Sequence, residues 1–550
     1  MRSLIKRIFL FQLFICMGSL AYSQIGIGVN PPNPSAILHV QDTTRGLLIP
    51  RMTAAQRINI QNPAEGLMVY QTDNTAGFWY FRSGQWINTF PSNGGKNTLI
   101  LADSITDAEA QLKIANEAGP NTQEIRILRC SNLTTVDLSM LTNSVVLIDI
   151  EDNTVLQNIN IDNLKAVEAD IYINNCPQLA ALNASSLSLI GQAYAGGNGF
   201  GITNTGMQNI NLPVLKHLTG QLIIQNNPAL TNMSLPQLEF NKSILITDNA
   251  LLASTSFHAL KAANSINLNA PLLAVTDFQS LKSVNVLTLI SNQLQSVSFP
   301  VFQSCQTLTL TCPQLSTLSA PSLVTGRLQL TGGTFSAVNL NSLQSTAGIN
   351  ITANGGGLSS INFPALETAN TANNSSVINI SGIGTLSFPL LHEADAVSLS
   401  QVSSFSTPLL DTVKSTLDIH SSLSLSTLTF PALKKTGGIS ITNCGITSLS
   451  FPSLINNNNP QLNGTMYIAV NPNLTSISWP NFQAVNNNYS SLNNNKLPSS
   501  EVNAILAKFR ATPLSSGTLS LKQTPAAPPT GQGITDKNYL ISEGVYVDSD

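Results

Sequence analysis

The sequence predicts an all-β-dominated chain: a β-solenoid of about sixteen coils with helical caps, preceded by a small N-terminal β module. Three observations carry this. The stretch Leu308 to Leu323, LTLTCPQLSTLSAPSL, returns as INLNAPLLAVTDFQSL ending at Leu281, as ISITNCGITSLSFPSL ending at Leu454 and as LIIQNNPALTNMSLPQL ending at Leu238. The closing apolar residues run from Leu141 through Leu215, Leu281 and Leu391 to Phe482, mostly 19 to 25 residues apart. A period in that range marks a solenoid, in which each coil buries its apolar face only against its neighbours. Finally, the pairs Leu308/Leu310, Leu328/Leu330 and Ile439/Ile441 alternate with polar residues and read as short strands. Parallel strands stacked at ~4.8 Å turn sixteen coils into a rod of roughly 75 Å.

Each coil also carries a second apolar pair, such as Leu428/Phe430 or Leu449/Phe451. The proline after it has no N–H to donate and ends that strand. Between the two strands lies a gap holding Asn or Cys. Cys130, Asn153, Cys176, Asn227, Cys312 and Asn471 occupy it, and Cys444 and Asn292 take a version shifted by one residue. An Asn there bonds the backbone of its own and neighbouring coils and builds a buried structural ladder; Cys substitutes as a small hydrophobe. This makes the solenoid leucine-rich-repeat-like.

From its start, the chain has Arg2, Lys6 and Arg7 before an apolar run from Ile8 to Leu20, then Ala21-Tyr22-Ser23. Residues 1–23 read as a cleaved signal peptide, which sends the protein out of the cell or to its outer surface. The run is too short to span a membrane, and no later stretch is apolar enough to do so. Residues 24–90 form the β module, a three-strand meander carrying Trp79, Tyr80 and Trp86 with turn signals at Asn74–Gly77 and Ser83-Gly84. Residues 91–97 are a linker. Residues 98–120 form an N-terminal cap: a short strand, then a helix opened by the capping box Thr106-x-x-Glu109 and stopped by Gly119-Pro120. The solenoid spans 121–485. The C-terminal cap, 486–550, has a helix from about Ser500 to Arg510, a strand at Thr518–Leu521, a Pro-rich turn at Pro525–Pro529 and a strand near Val545–Val547.

Some of these stretches resemble known families. IGIG near the start of the mature chain, GLLIPRMT, Gln56-Arg57, GLMVYQTD and the closing G-x-W resemble a small module of secreted Bacteroidota proteins, some of them tail-fibre-like. That resemblance implies an exported surface or fibre protein and carries no activity. LPSSEVNAILAKF and the segment after it resemble the ends of leucine-rich-repeat proteins from the same bacteria. The coils over residues 120–485 are similar to the receptor L-domain type, which implies a ligand-binding, non-enzymatic scaffold. The disulfides of the receptor domains are missing, so no ligand class carries over.

Three of the 25 basic residues fall within residues 1–23, which leaves 22 against 28 acidic residues and a charge near −6. That gives no electrostatic case for nucleic acid or anionic lipid. The mature chain has five cysteines; four sit in the ladder frame and Cys305 stands apart.

Chemistry is sparse. From residue 301 to 482 the acidic residues are Glu367, Glu393, Asp395, Asp411 and Asp418. A carbohydrate-active solenoid enzyme needs clustered carboxylates. The best groups are His392-Glu393-x-Asp395 and Asp418-x-His420, which also read as solvated residues of a strand face. No spacing suggests a cofactor or metal. The outward residues of the first strand run from Arg126, Asp149 and Tyr172 through Ile223, Leu245 and Asn267 to Thr309, Gln329, Asp418 and Tyr467. Larger side chains break this polar row at Tyr172, Ile223, Leu245 and Tyr467, which makes them the candidate binding residues. Loops at Gly191–Gly199, Ile455–Gly464 and Val485–Asn495 add candidate contacts. The expected function is non-catalytic binding or adhesion to an unknown protein or glycan at the cell surface. The carbohydrate-active enzyme and a purely architectural fibre or spacer are the alternatives; oligomeric state is open.

Overall fold

One turn of the solenoid shows how the repeat folds. The strand Phe240–Thr247 ends at Asp248, whose φ of 60° swings the backbone into the left-handed region. Asn249 follows, fully buried, and its carbonyl accepts from Leu252 N at 3.1 Å to close the first corner. The short strand Ser254–Ser256 leads to Phe257, whose carbonyl accepts from Leu260 N at 3.0 Å to close the second. The next strand, Ala262–Asn269, then lies parallel beside the first. In many turns a proline follows the aromatic, as Pro300 follows Phe299 before the bond from Phe302 N to Phe299 O. At that second turn position its fixed φ is an advantage and its missing N–H costs nothing.

The computed structural model describes residues 24–550 apart from 75, 90–94, 143, 192–198, 354–359, 372–376, 457–464, 484–488 and 513–516. The expected signal peptide of residues 1–23, most of the linker and much of the three candidate contact loops lie outside the described residues. The chain divides into two compact units, Met1–Asn93 and Gly94–Asp550.

The second unit is the solenoid, with about 18 turns. Its main parallel sheet runs from Thr98–Ala102 to Val545–Asp548. It exceeds the sixteen coils counted on closing residues because cap strands, including Tyr489–Ser491 and Gly517–Ser520, pair into the same sheet. The short second strands form separate three- and four-stranded parallel sheets. Between the sheets runs one continuous core of Leu, Ile, Val and Phe. Phenylalanines stack from turn to turn within it: Phe257 on Phe278 at 5.7 Å, Phe363 on Phe388 at 4.9 Å and Phe430 on Phe451 at 5.2 Å. Each such contact is worth about 1 kcal/mol beyond area burial.

The first unit has its own small core of Val69, Trp79 and Trp86 on the antiparallel strands Met68–Gln71, Gly77–Arg82 and Gln85–Asn88. Helix α1 (Ala54–Ile58) opens with a capping box from Thr53 and Gln56. From it the buried Arg57 guanidinium lies 3.8 Å over the Trp79 ring and bonds Gln71 Oε1 at 2.8 Å. The tryptophans are therefore packing groups here, with Tyr80 half-buried beside them.

At the start of the second unit, helix α2 (Asp107–Glu117) has Thr106 and Glu109 in a reciprocal capping box and buries Ala110 and Ile114. At the other end, helix α3 (Ser499–Ala511) buries Val502, Ile505, Leu506 and Phe509. It packs on a further helix, α4 (Gln532–Ser542), which is joined to α3 by an ion pair between Arg510 and Asp536. The sequence reading places only a turn and a strand after Ser520, so α4 is a correction to the predicted cap. Asp536 and Leu540 face inward on it, a spacing of four that the surrounding Gly and Pro residues conceal.

Candidate functional site

The ladder holds the sheet edge in register. Asn153 Oδ1 accepts from Cys130 N at 2.9 Å, and Asn153 Nδ2 donates to Ile127 O and Glu151 O. Asn227 Oδ1 accepts from Thr205 N at 3.0 Å, and Asn227 Nδ2 donates to Ile202 O. Cys444 N donates to Asn471 Oδ1 at 3.0 Å. Cys176 and Cys312 lie buried in the same slot, with Cys312 Sγ donating to Leu289 O. Burial pushes the Cys130, Cys312 and Cys444 thiols up to about 11 and raises that of Cys176. Cys305 is buried at the start of a strand, outside the slot, and rises to about 12.

Asn292 is the exception and is corrected here: it is exposed, and Ser291 fills the slot. In longer turns a left-handed residue, such as Asp152, Asn226 or Asp248, separates strand from slot. Around residue 291 that residue is absent, so the slot directly follows Ile290, which pairs with Thr311 just before Cys312. Ser291 Oγ donates to Leu273 O at 2.6 Å. Two ladder asparagines escaped sequence reasoning, Asn249 and Asn495, both fully buried and both making the ladder bonds. Each follows an Asp or Asn that takes the left-handed conformation, and this Asx-Asn pair is the signal that finds them.

With the edges fixed, the outward row falls into register. Ile100, Arg126, Asp149, Tyr172, Gly201, Ile223, Leu245, Asn267, Thr288, Thr309, Gln329, Asn350, Asn379, Ser398, Asp418, Ser440 and Tyr467 stand side by side on successive strands. Gly201 is the rung missing from the sequence-derived row. A Cβ there would meet the Tyr172 ring at 3.1 Å, so the ring lies against the bare Gly201 backbone. The structure thus brings Tyr172, Ile223 and Leu245 into one apolar strip, all half-buried, and leaves Tyr467 many rungs away. The middle of the row is polar and bonded along itself: Asn379 Nδ2 to Asn350 Oδ1 at 3.3 Å, and Ser398 Oγ to Asp418 Oδ2 at 3.4 Å.

The two acidic groups are tied into the scaffold. Glu393 forms an ion pair with Lys414. That hydrogen bond, with one from Asn370, holds the Glu393 carboxyl below the usual range and raises Lys414. A general acid or a lysine base needs the opposite shifts. Asp395 is fully buried and accepts from Thr371 N at 2.8 Å. Asp418 Oδ2 lies 3.2 Å from His420 Nδ1 on the outward face. Among the described residues no three His, Cys, Asp or Glu side chains gather as a metal site. No described helix is long and apolar enough to cross a membrane.

Comparison with known proteins adds two findings. Residues 26–100 match the family model described as a phage tail like trimerisation region. Among solved structures, YopM from Yersinia enterocolitica is similar at 12% identity with a TM-score of 0.19, covering 67% of this chain and 87% of that one. A TM-score that low supports no inference. No curated protein matches the sequence.

Proposed function

We propose that this is an exported, non-catalytic binding protein of the adhesin or fibre kind. It presents the outward row of its solenoid to a protein or glycan outside the cell and assembles through its N-terminal unit. The observation that carries the reading is the Tyr172–Gly201–Ile223–Leu245 strip, an apolar run of rungs beside a stretch that is polar at every rung from Asn267 to Ser440. Apolar and aromatic side chains clustered in a polar surround are where binding energy concentrates. The N-terminal match to a trimerisation region supports a multivalent protein. Copies held together convert weak single-face contacts into avidity gains of roughly 10²–10⁴.

The test is to screen the intact protein on glycan and protein arrays and to assay the same preparation for polysaccharide turnover. Binding without turnover is expected. Turnover abolished by Asp418→Asn or Glu393→Gln would establish the enzyme instead, and silence in both assays would leave the architectural spacer.

A further inference from the structure

The first unit contains a segment that its own fold does not bury. Residues 24–50 include no buried side chain, whereas residues 51–88 hold the whole of the unit's core. Yet the segment is apolar. Ile25, Ile27, Ile37, Leu38, Leu47 and Leu48 all face outward, with Ile37 at 77% and Leu48 at 78% exposure. Together these six leave on the order of 800 Å² uncovered, about one partner's share of a stable interface.

Its backbone has the same incompleteness. The strands Ile25–Ile27 and Leu38–Val40 pair in parallel and join no other strand among the described residues. Parallel strands are otherwise found with both faces covered, and a two-stranded sheet is marginal alone. The only charges in the segment are Asp42 and Arg45, which pair with each other at 2.6 Å. Nothing electrostatic keeps two copies of it apart.

We infer that residues 24–50 form the shared core between three copies of this chain, so that their strands are covered only on assembly, while residues 51–88 fold within each copy. The occupant is a second and third copy because the trimerisation-region match spans this same segment. The inference rests on the assembly reading above and adds which residues make the contact.

The experiment uses the full chain, with mass from sedimentation equilibrium and amide exchange read by segment. Wild type is expected at three times the chain mass, with amides of residues 25–48 protected. Leu38→Asp with Leu48→Asp should fall to the single-chain mass and lose that protection. Protection of residues 68–88 and the melting of the solenoid should not change. Leu423→Asp, at an equally exposed leucine of the second unit, should leave the mass intact. A wild type of three chains whose double variant stays at three chains would overturn this inference and leave the assembly reading standing. A single-chain wild type, with the segment protected or not, would overturn both.

Discussion

The backbone N–H of Asn227 donates to the side-chain oxygen of Asn249 in the next turn at 3.0 Å, while the oxygen of Asn227 accepts from Thr205 N in the previous one. Each side chain thus fixes its neighbour's backbone, and these turns are tied to one another by fully buried amides. Asn227→Leu should therefore cost about 3 kcal/mol, because Thr205 N–H and Ile202 O lose a buried partner and a branched side chain is forced into the slot. Asn292→Leu, at an exposed position, should change stability by less than about 0.5 kcal/mol. Chemical denaturation of the two variants side by side checks the contrast. Equal effects would mean that the ladder is misassigned.

The left-handed corner gives a stabilising substitution. Val470 sits at φ 60° just before the ladder residue Asn471, where most other turns with a left-handed corner place Asp or Asn. A β-branched residue is strained there, and the side chain is partly exposed, so little packing is lost on replacing it. Val470→Asn should stabilise by roughly 1 kcal/mol, seen as a higher denaturation midpoint. A fall in stability would place the strain elsewhere.

Much of this was legible from residue spacing. Two inward side chains per strand, a slot residue three before the next leucine, and an aromatic-proline corner set the register that the backbone adopts. The outward row was readable because alternation in a strand leaves no choice of face. The Asn292 error arose because a single left-handed residue, present in some turns and absent in others, moves the slot by one. Gly201 was missed because the spacing stretches before it, and α4 because its inward residues sit between turn-forming ones. The candidate binding strip emerged only in part: Tyr172, Ile223 and Leu245 could be named, but the packing of the Tyr172 ring on the bare Gly201 rung could not.

The cysteines give a chemical test of burial. With thiols raised to about 11 or 12 by desolvation, Cys130, Cys305, Cys312 and Cys444 stay protonated at pH 8. Alkylation of the folded protein should leave these four and Cys176 unmodified over a time in which the unfolded chain reacts fully, since the thiolate is the nucleophile. Rapid labelling of Cys312 without unfolding would contradict the buried slot.

The C-terminal cap should be acid-sensitive. Burial alone would raise the Asp536 carboxyl, but hydrogen bonds from Arg510 and Gln532 outweigh it and hold it below the usual range. A carboxyl with a depressed folded pKa stabilises fully above its unfolded value, near 4, and loses that stabilisation as pH falls through the folded value. Asp536→Asn should therefore cost about 1–2 kcal/mol at pH 7, and the difference from wild type should shrink to nothing in strong acid. Amide exchange in α3 and α4 across that range measures it. A difference that widened on acidification would reverse the assignment.

The most direct test of the central claim is affinity for whatever array ligand the intact protein captures, compared between two pairs of row substitutions. Ile223→Asp with Leu245→Asp places charge in the apolar strip, whereas Thr309→Asp with Gln329→Asp places the same charge in the polar middle of the same row. The strip variant is expected to lose at least tenfold in affinity, about 1.4 kcal/mol, with the polar-row variant within a factor of about three of wild type. Equal losses from the two pairs, or a loss confined to the polar row, would contradict binding through the strip.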